Sequence, residues 1–154
     1  MKFQWKRLLV CLAIPLAVGG FAAFLTKDAM AQFALVNKPP LSPPGWLFPV
    51  VWTVLYLLMG YASYLVVRSD HSQKCSALIL YAAQLFVNFF WSILFFSLEV
   101  YWFSFFWLLL LWLLIFLSIR VLRPISKLAA ALLLPYLAWV TFAGYLNFGI
   151  ALLN

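Results

Sequence analysis

The sequence predicts an all-α integral membrane protein, a five-helix transmembrane bundle. Hydrophobic residues make up 68% of the 154 residues and charged residues 8%, whereas soluble domains average about 45–50% and about 25%. The apolar residues also form long runs, each close to the roughly 20 residues that a membrane helix needs. The whole chain, residues 1–154, is therefore predicted to form a single membrane domain.

The predicted spans cover residues 8–25, 46–67, 76–98, 101–119 and 128–153, and none contains a charged residue or a histidine. Eight Lys and Arg residues fall on one side of this topology and two on the other. Because basic residues collect in cytoplasmic loops, we expect a cytoplasmic N-terminus and an external C-terminus. A secretory signal is the alternative for the first run, since Ala29-Met30-Ala31 resembles a cleavage site.

The charge and the polar residue types exclude several function classes. A net charge of +7 on so few charged residues indicates loops facing anionic lipid rather than a nucleic-acid partner. His71 is the single histidine, and Cys11 and Cys75 are far apart in sequence, so neither a metal site nor a cofactor is predicted. The sequence also lacks a Ser-His-Asp set and paired intramembrane carboxylates, which disfavours hydrolase and proton-pump chemistry.

The connection from residue 27 to residue 45 is the longest, and its second half contains Pro39, Pro40, Pro43 and Pro44. This proline content predicts a stiff, non-helical segment. A long connection within a compact bundle usually covers something. We therefore expect this loop to act as a lid over the bundle, with a linker as the alternative.

Two of the predicted spans carry amide or tryptophan side chains at helical spacing, which an ordinary membrane helix lacks. In the third span Gln84, Asn88, Trp91 and Phe95 are spaced by four, three and four residues, which places them on one stripe. Such amides either join helices by hydrogen bonds or line a cavity. In the fifth span Trp139 and Ala143 share a face, and Pro135 is expected to bend the helix.

Three sequence blocks resemble the translocator protein family, whose members are also called tryptophan-rich sensory proteins or peripheral benzodiazepine receptors. They occur in chain order and comprise Lys38-Pro39 with residues 42–46 and 51–56, residues 84–88 with Trp91, and residues 135–139 with Ala143 and Asn147. The resemblance implies a five transmembrane helix bundle, commonly a homodimer, with a ligand cavity under the first loop that binds porphyrins, sterol-like lipids and benzodiazepine-type drugs. The implied ligand-binding residues are Trp52, Tyr56, Gln84, Asn88, Trp91, Trp139 and Ala143, with Lys38 as the candidate cation at the cavity mouth.

The leading functional interpretation is a membrane receptor or carrier for protoporphyrin-like tetrapyrroles, linked to tetrapyrrole metabolism or stress sensing. A porphyrin is flat and apolar with carboxylates at its edge, so it suits indole faces, amide donors and a nearby cation. One alternative is light-dependent oxidative degradation of protoporphyrin in which Trp139 takes part. Further alternatives are a sterol or lipid transporter and a structural scaffold. Phe148 stands where eukaryotic family members carry the tyrosine of a sterol-recognition segment.

Overall fold

The computed structural model describes residues 2–154, and the regular structure of these residues is entirely helical. The elements in chain order are α1 (Trp5–Thr26), a 3-10 turn (Lys27–Ala29), α2 (Met30–Phe33), α3 (Leu47–Val67), α4 (Lys74–Ser92), a π-helical turn (Ile93–Ser97), α5 (Tyr101–Ile125), α6 (Lys127–Leu132) and α7 (Leu134–Leu153). Five helical segments of 21 to 29 residues are long and apolar enough to cross a bilayer. The predicted fold class, an all-α membrane protein with five spans, is therefore confirmed.

The helices pack in pairs around a single core. The most extensive contacts join α1 to α3, α4 to α5, and α5 to α7, and α3 meets the fifth span mainly through α6. The α1–α3 crossing is close because Gly60 has no side chain. A Cβ at Gly60 would stand 2.7 Å from the Cys11 carbonyl oxygen.

The first loop is shorter than the sequence predicts. The chain stays helical through the 3-10 turn and α2, and irregular backbone is confined to residues 34–46, called the lid below. Residues 27–33 contain no proline or glycine, so nothing interrupts the helix before the proline-rich half of the loop. The proline-rich half is non-helical, as predicted.

The fifth span is interrupted rather than merely bent. Ser126 has extended backbone geometry and caps α6, because its hydroxyl accepts a hydrogen bond from the Ala129 amide at 3.1 Å. The helix breaks again at Leu133, and Pro135 lies in the first turn of α7. A proline is tolerated there because first-turn amides have no helical partner.

A π-helical turn ends the third span. The Leu98 amide donates to the Ile93 carbonyl, five residues earlier, at 3.0 Å. This wider turn brings the adjacent rings of Phe95 and Phe96 to one side of the bundle, where both line the cavity described next.

Candidate functional site

A small cavity lies directly beneath the lid. Its volume is about 30 Å³, which is room for about one water molecule. Of the residues predicted to bind ligand, Lys38, Trp91 and Ala143 line it. The remaining lining residues come from α2, the lid, α3, the π-helical turn and α7, and they are Phe33, Ser42, Pro43, Phe48, Phe95, Phe96, Leu146, Asn147 and Ile150.

Five of the twelve residues that line the cavity are aromatic. The Trp91 indole stacks on the Phe95 ring with centroids 5.2 Å apart and planes 17° from parallel. The Phe33 ring closes the wall by edge contacts with Phe95 and Phe96 at 5.7 and 5.0 Å. One polar side chain is fixed within this wall, since the Trp91 indole N–H donates to Asn147 Oδ1 at 3.1 Å. The wall therefore presents flat apolar faces beside one anchored amide.

Lys38 holds the lid as well as lining the cavity. Its ammonium donates to the carbonyls of Phe33, Ala34 and Val36 at 3.0, 3.4 and 3.3 Å. It also lies 4.7 Å from the centroid of the Phe33 ring, a cation–π distance. Lys38 thus places a positive charge at the cavity rim, where its ammonium donates to one carbonyl of α2 and two carbonyls of the lid.

The lid is fastened to α7 at separate points. The Asn37 amide donates to Asn154 Oδ1 at 3.1 Å, and Asn154 Nδ2 donates to the Asn37 carbonyl at 2.8 Å. The Tyr145 hydroxyl donates to the Pro40 carbonyl at 2.7 Å. Pro39 packs on Gly149 so closely that a Cβ there would lie 2.5 Å from Pro39 Cγ.

Below the cavity, a buried hydrogen-bond network joins three spans. The Tyr56 hydroxyl donates to Asn88 Oδ1 at 3.4 Å, and Asn88 Nδ2 donates to the Tyr136 hydroxyl at 2.6 Å. That hydroxyl donates in turn to Gln84 Oε1 at 2.8 Å. Gln84, Asn88 and Tyr136 are each at most 1% exposed. The predicted stripe of the third span therefore turns inward, and its amides bind two tyrosines.

Trp52 connects this network to the cavity wall. Its ring stacks on Tyr56 with centroids 5.6 Å apart and meets the edge of Tyr136 at 6.2 Å. On its other side it lies 6.4 Å from Trp91. One continuous cluster therefore contains five of the predicted site residues: Trp52, Tyr56, Gln84, Asn88 and Trp91.

Trp139 stands apart from the cavity. It lines an open groove between α3 and α7, and its edge contact with Phe48, at 5.9 Å, links it to the cavity wall. Conversely, Tyr136 and Asn147 belong to the cluster although neither was among the predicted site residues. Tyr136, Ala143 and Asn147 are spaced by seven and four residues, so they lie on one face of α7. This spacing is the signal in the sequence that could have identified Tyr136 and Asn147.

The chain is similar in sequence to known proteins. The profile of the TspO/MBR family matches residues 11–153. The tryptophan-rich protein TspO of Chlorobaculum tepidum is 38% identical over 157 aligned positions, covering 100% of this chain and 99% of that protein. The translocator protein of Bos taurus is 35% identical, covering 86% of this chain and 81% of that protein.

The tryptophan-rich sensory protein of Cereibacter sphaeroides is 34% identical, and the match covers 100% of this chain and 95% of that protein. The profile match and each of these similarities cover at least four fifths of the chain. The chain belongs to the TspO/MBR family of multi-pass integral membrane proteins.

Proposed function

We propose that this protein is a membrane receptor or carrier that binds a flat, apolar, porphyrin-type ligand beneath the lid. The observation that carries the proposal is the aromatic cavity wall under a fastened lid. Trp91 and Phe95 offer stacked faces, and Trp52 extends them toward the buried network. Stacking surfaces with few fixed polar groups are typical of sites for large flat ligands.

The polar groups at this site suit a carboxylate-edged ligand. Lys38 places its ammonium at the cavity rim, and its carbonyl contacts could be exchanged for a ligand carboxylate. The Asn147 amide, bonded to Trp91, Ser104 and Tyr101, fixes the wall behind it. The ligand's apolar face would then lie against the indoles, with its charged edge toward the lid.

Ligand binding requires the lid to move. The closed cavity holds about 30 Å³, whereas sites for drug-sized ligands hold roughly 300–1,000 Å³. The Asn37–Asn154 and Tyr145–Pro40 bonds are exposed, so water can replace them when the lid opens. With the N-terminus in the cytoplasm, as the charge distribution favours, the lid would face the outside.

The test is a dark titration of the protein, in lipid nanodiscs, with protoporphyrin, followed by its Soret band. We expect saturable binding to the native chain and at least about tenfold weaker binding to Ala143→Leu, because the added side chain fills the cavity beside Trp91. Ala131→Leu is the matched control, since Ala131 is exposed on α6.

Unchanged affinity in Ala143→Leu would place the ligand elsewhere. Absence of saturable binding to the native chain would instead favour the scaffold interpretation. Repeating the titration under illumination, with isolation of the products, separates binding from light-dependent degradation.

A further inference from the structure

The lid runs down the side of α7 instead of lying only across its end. Its first contact, from Asn37, is at the end of the helix. Pro39 packs on Gly149, and the carbonyl of the next residue accepts a hydrogen bond from Tyr145. Gly149 and Tyr145 are four and eight residues before the end of α7, or about 6 and 12 Å along its axis. The lid tip, defined as residues 39–41, therefore lies beside the helix and below its end.

This depth places the lid tip beside the apolar surface of the bundle. Above Tyr145, α7 exposes Phe148, Leu152 and Leu153, so its apolar surface continues to the end of the helix. The span that ends with α7 has 27 residues, about 40 Å, which is close to the roughly 40–45 Å of a bilayer with its headgroups. Since each headgroup zone is roughly 5–8 Å deep, a point about 12 Å below the helix end lies at the level of the acyl chains.

The backbone of the lid suits a place with little water. Four of the six residues from 39 to 44 are prolines, which have no amide donor. The carbonyls at positions 36, 37, 39 and 40 accept hydrogen bonds from the side chains of Lys38, Asn154, Ser42 and Tyr145, respectively. Hydrocarbon requires that backbone polar groups be bonded within the protein, whereas a loop in water can bond to solvent instead.

Leu41 is the large apolar side chain of the lid tip. It is 83% exposed, whereas the next two residues, Ser42 and Pro43, line the cavity. The backbone of Leu41 has a φ of 68°, in the left-handed region that favours glycine and asparagine over residues such as leucine. Contacts within the chain give so exposed a side chain little stabilisation. The stabilisation of a leucine in this conformation therefore comes from what surrounds the lid.

We propose that the lid tip is inserted in the bilayer, with the Leu41 side chain among the acyl chains of the leaflet on the lid side. The partner of this surface is lipid hydrocarbon. The inserted leucine holds the lid from the lipid side, and the bonds to α7 hold it from the protein side. Closure of the lid therefore depends on the bilayer as well as on the protein. The proposal does not rest on the identity of the ligand beneath the lid.

The first test measures the surroundings of position 41 by electron paramagnetic resonance of the full chain in lipid nanodiscs. A nitroxide is attached to Leu41→Cys in a Cys75→Ser background, since Cys75 is the exposed cysteine and Cys11 is buried. We expect this label to relax with oxygen, which dissolves among acyl chains, and to be protected from a water-soluble nickel chelate. Asp70→Cys, on an exposed loop, is the water reference, and Leu113→Cys, exposed at the middle of α5, is the lipid reference.

The second test separates the leucine side chain from the strain of its backbone. Asparagine adopts the left-handed conformation more readily than leucine, but its amide is unfavourable among acyl chains. Insertion therefore predicts that Leu41→Asn speeds hydrogen exchange of the lid amides in nanodiscs at least about threefold, whereas relief of strain alone predicts slower exchange. Leu41→Met is the matched control, because it keeps an apolar side chain and should exchange like the native chain.

Three results would overturn the proposal. A label at position 41 that the nickel chelate reaches as readily as the Asp70→Cys label would place the lid tip in water. A label protected from both oxygen and nickel would mean that protein, such as a second copy of the chain, covers this position. Exchange in Leu41→Asn that is no faster than in Leu41→Met would show that the leucine does not anchor the lid.

Discussion

Asn88 is the residue on which the buried network depends, because it accepts from Tyr56 and donates to Tyr136. We predict that Asn88→Leu lowers the free energy of unfolding by about 1–3 kcal/mol, since both hydroxyls lose a buried partner. The measurement is denaturation in a mild detergent of three variants: Asn88→Leu, Tyr136→Phe and the variant that carries both substitutions. Because the side chains share a bond, the double variant should differ from additivity by roughly 0.5 kcal/mol or more. Strict additivity would show that the two residues act independently.

The lid is the element whose stability depends on a few exposed contacts. We predict that Asn154→Ala speeds hydrogen exchange at the lid amides by about fivefold or more, because both bonds to Asn37 are lost and together they are worth about 1–3 kcal/mol. The measurement is exchange followed by mass spectrometry. Thr53→Ala is the control, since Thr53 is exposed and its hydroxyl bonds only within α3, to the Pro49 carbonyl. Equal exchange in both variants would mean that the other contacts, Pro39 on Gly149 and the Tyr145–Pro40 bond, hold the lid without Asn154.

The sequence predicted the five spans and the lid better than it predicted which face of each helix is buried. Long apolar runs predicted the five spans, and the prolines predicted the irregular lid. The third-span stripe was also readable, because its amides recur at helical spacing. In the fifth span the helix restarts at Leu134, so its buried face includes Tyr136 and Asn147 rather than Trp139. The separation of α3 from α7, which leaves Trp139 at a groove, depends on the packing of whole helices and has no local signal.

Assembly of the whole bundle depends on the close α1–α3 crossing at Gly60. We predict that Gly60→Leu lowers the unfolding free energy by about 1–3 kcal/mol or more, because the side chain would collide with the α1 backbone. Gly20→Leu is the control, since nothing lies within 4 Å of a Cβ at that position. Thermal unfolding in detergent compares the two. A Gly60→Leu protein as stable as Gly20→Leu would show that α1 can shift to relieve the crossing.

The π-helical turn has a mechanical consequence for the molecule. In a regular α-helix, neighbouring residues point about 100° apart, so two successive rings seldom share a chamber. Here Phe95 and Phe96 both line the cavity, and both lie in the π-helical turn. A regular α-helical turn at this place would rotate the Phe95 and Phe96 rings away from each other. The aromatic lining of the cavity therefore depends on the winding of the backbone beside it.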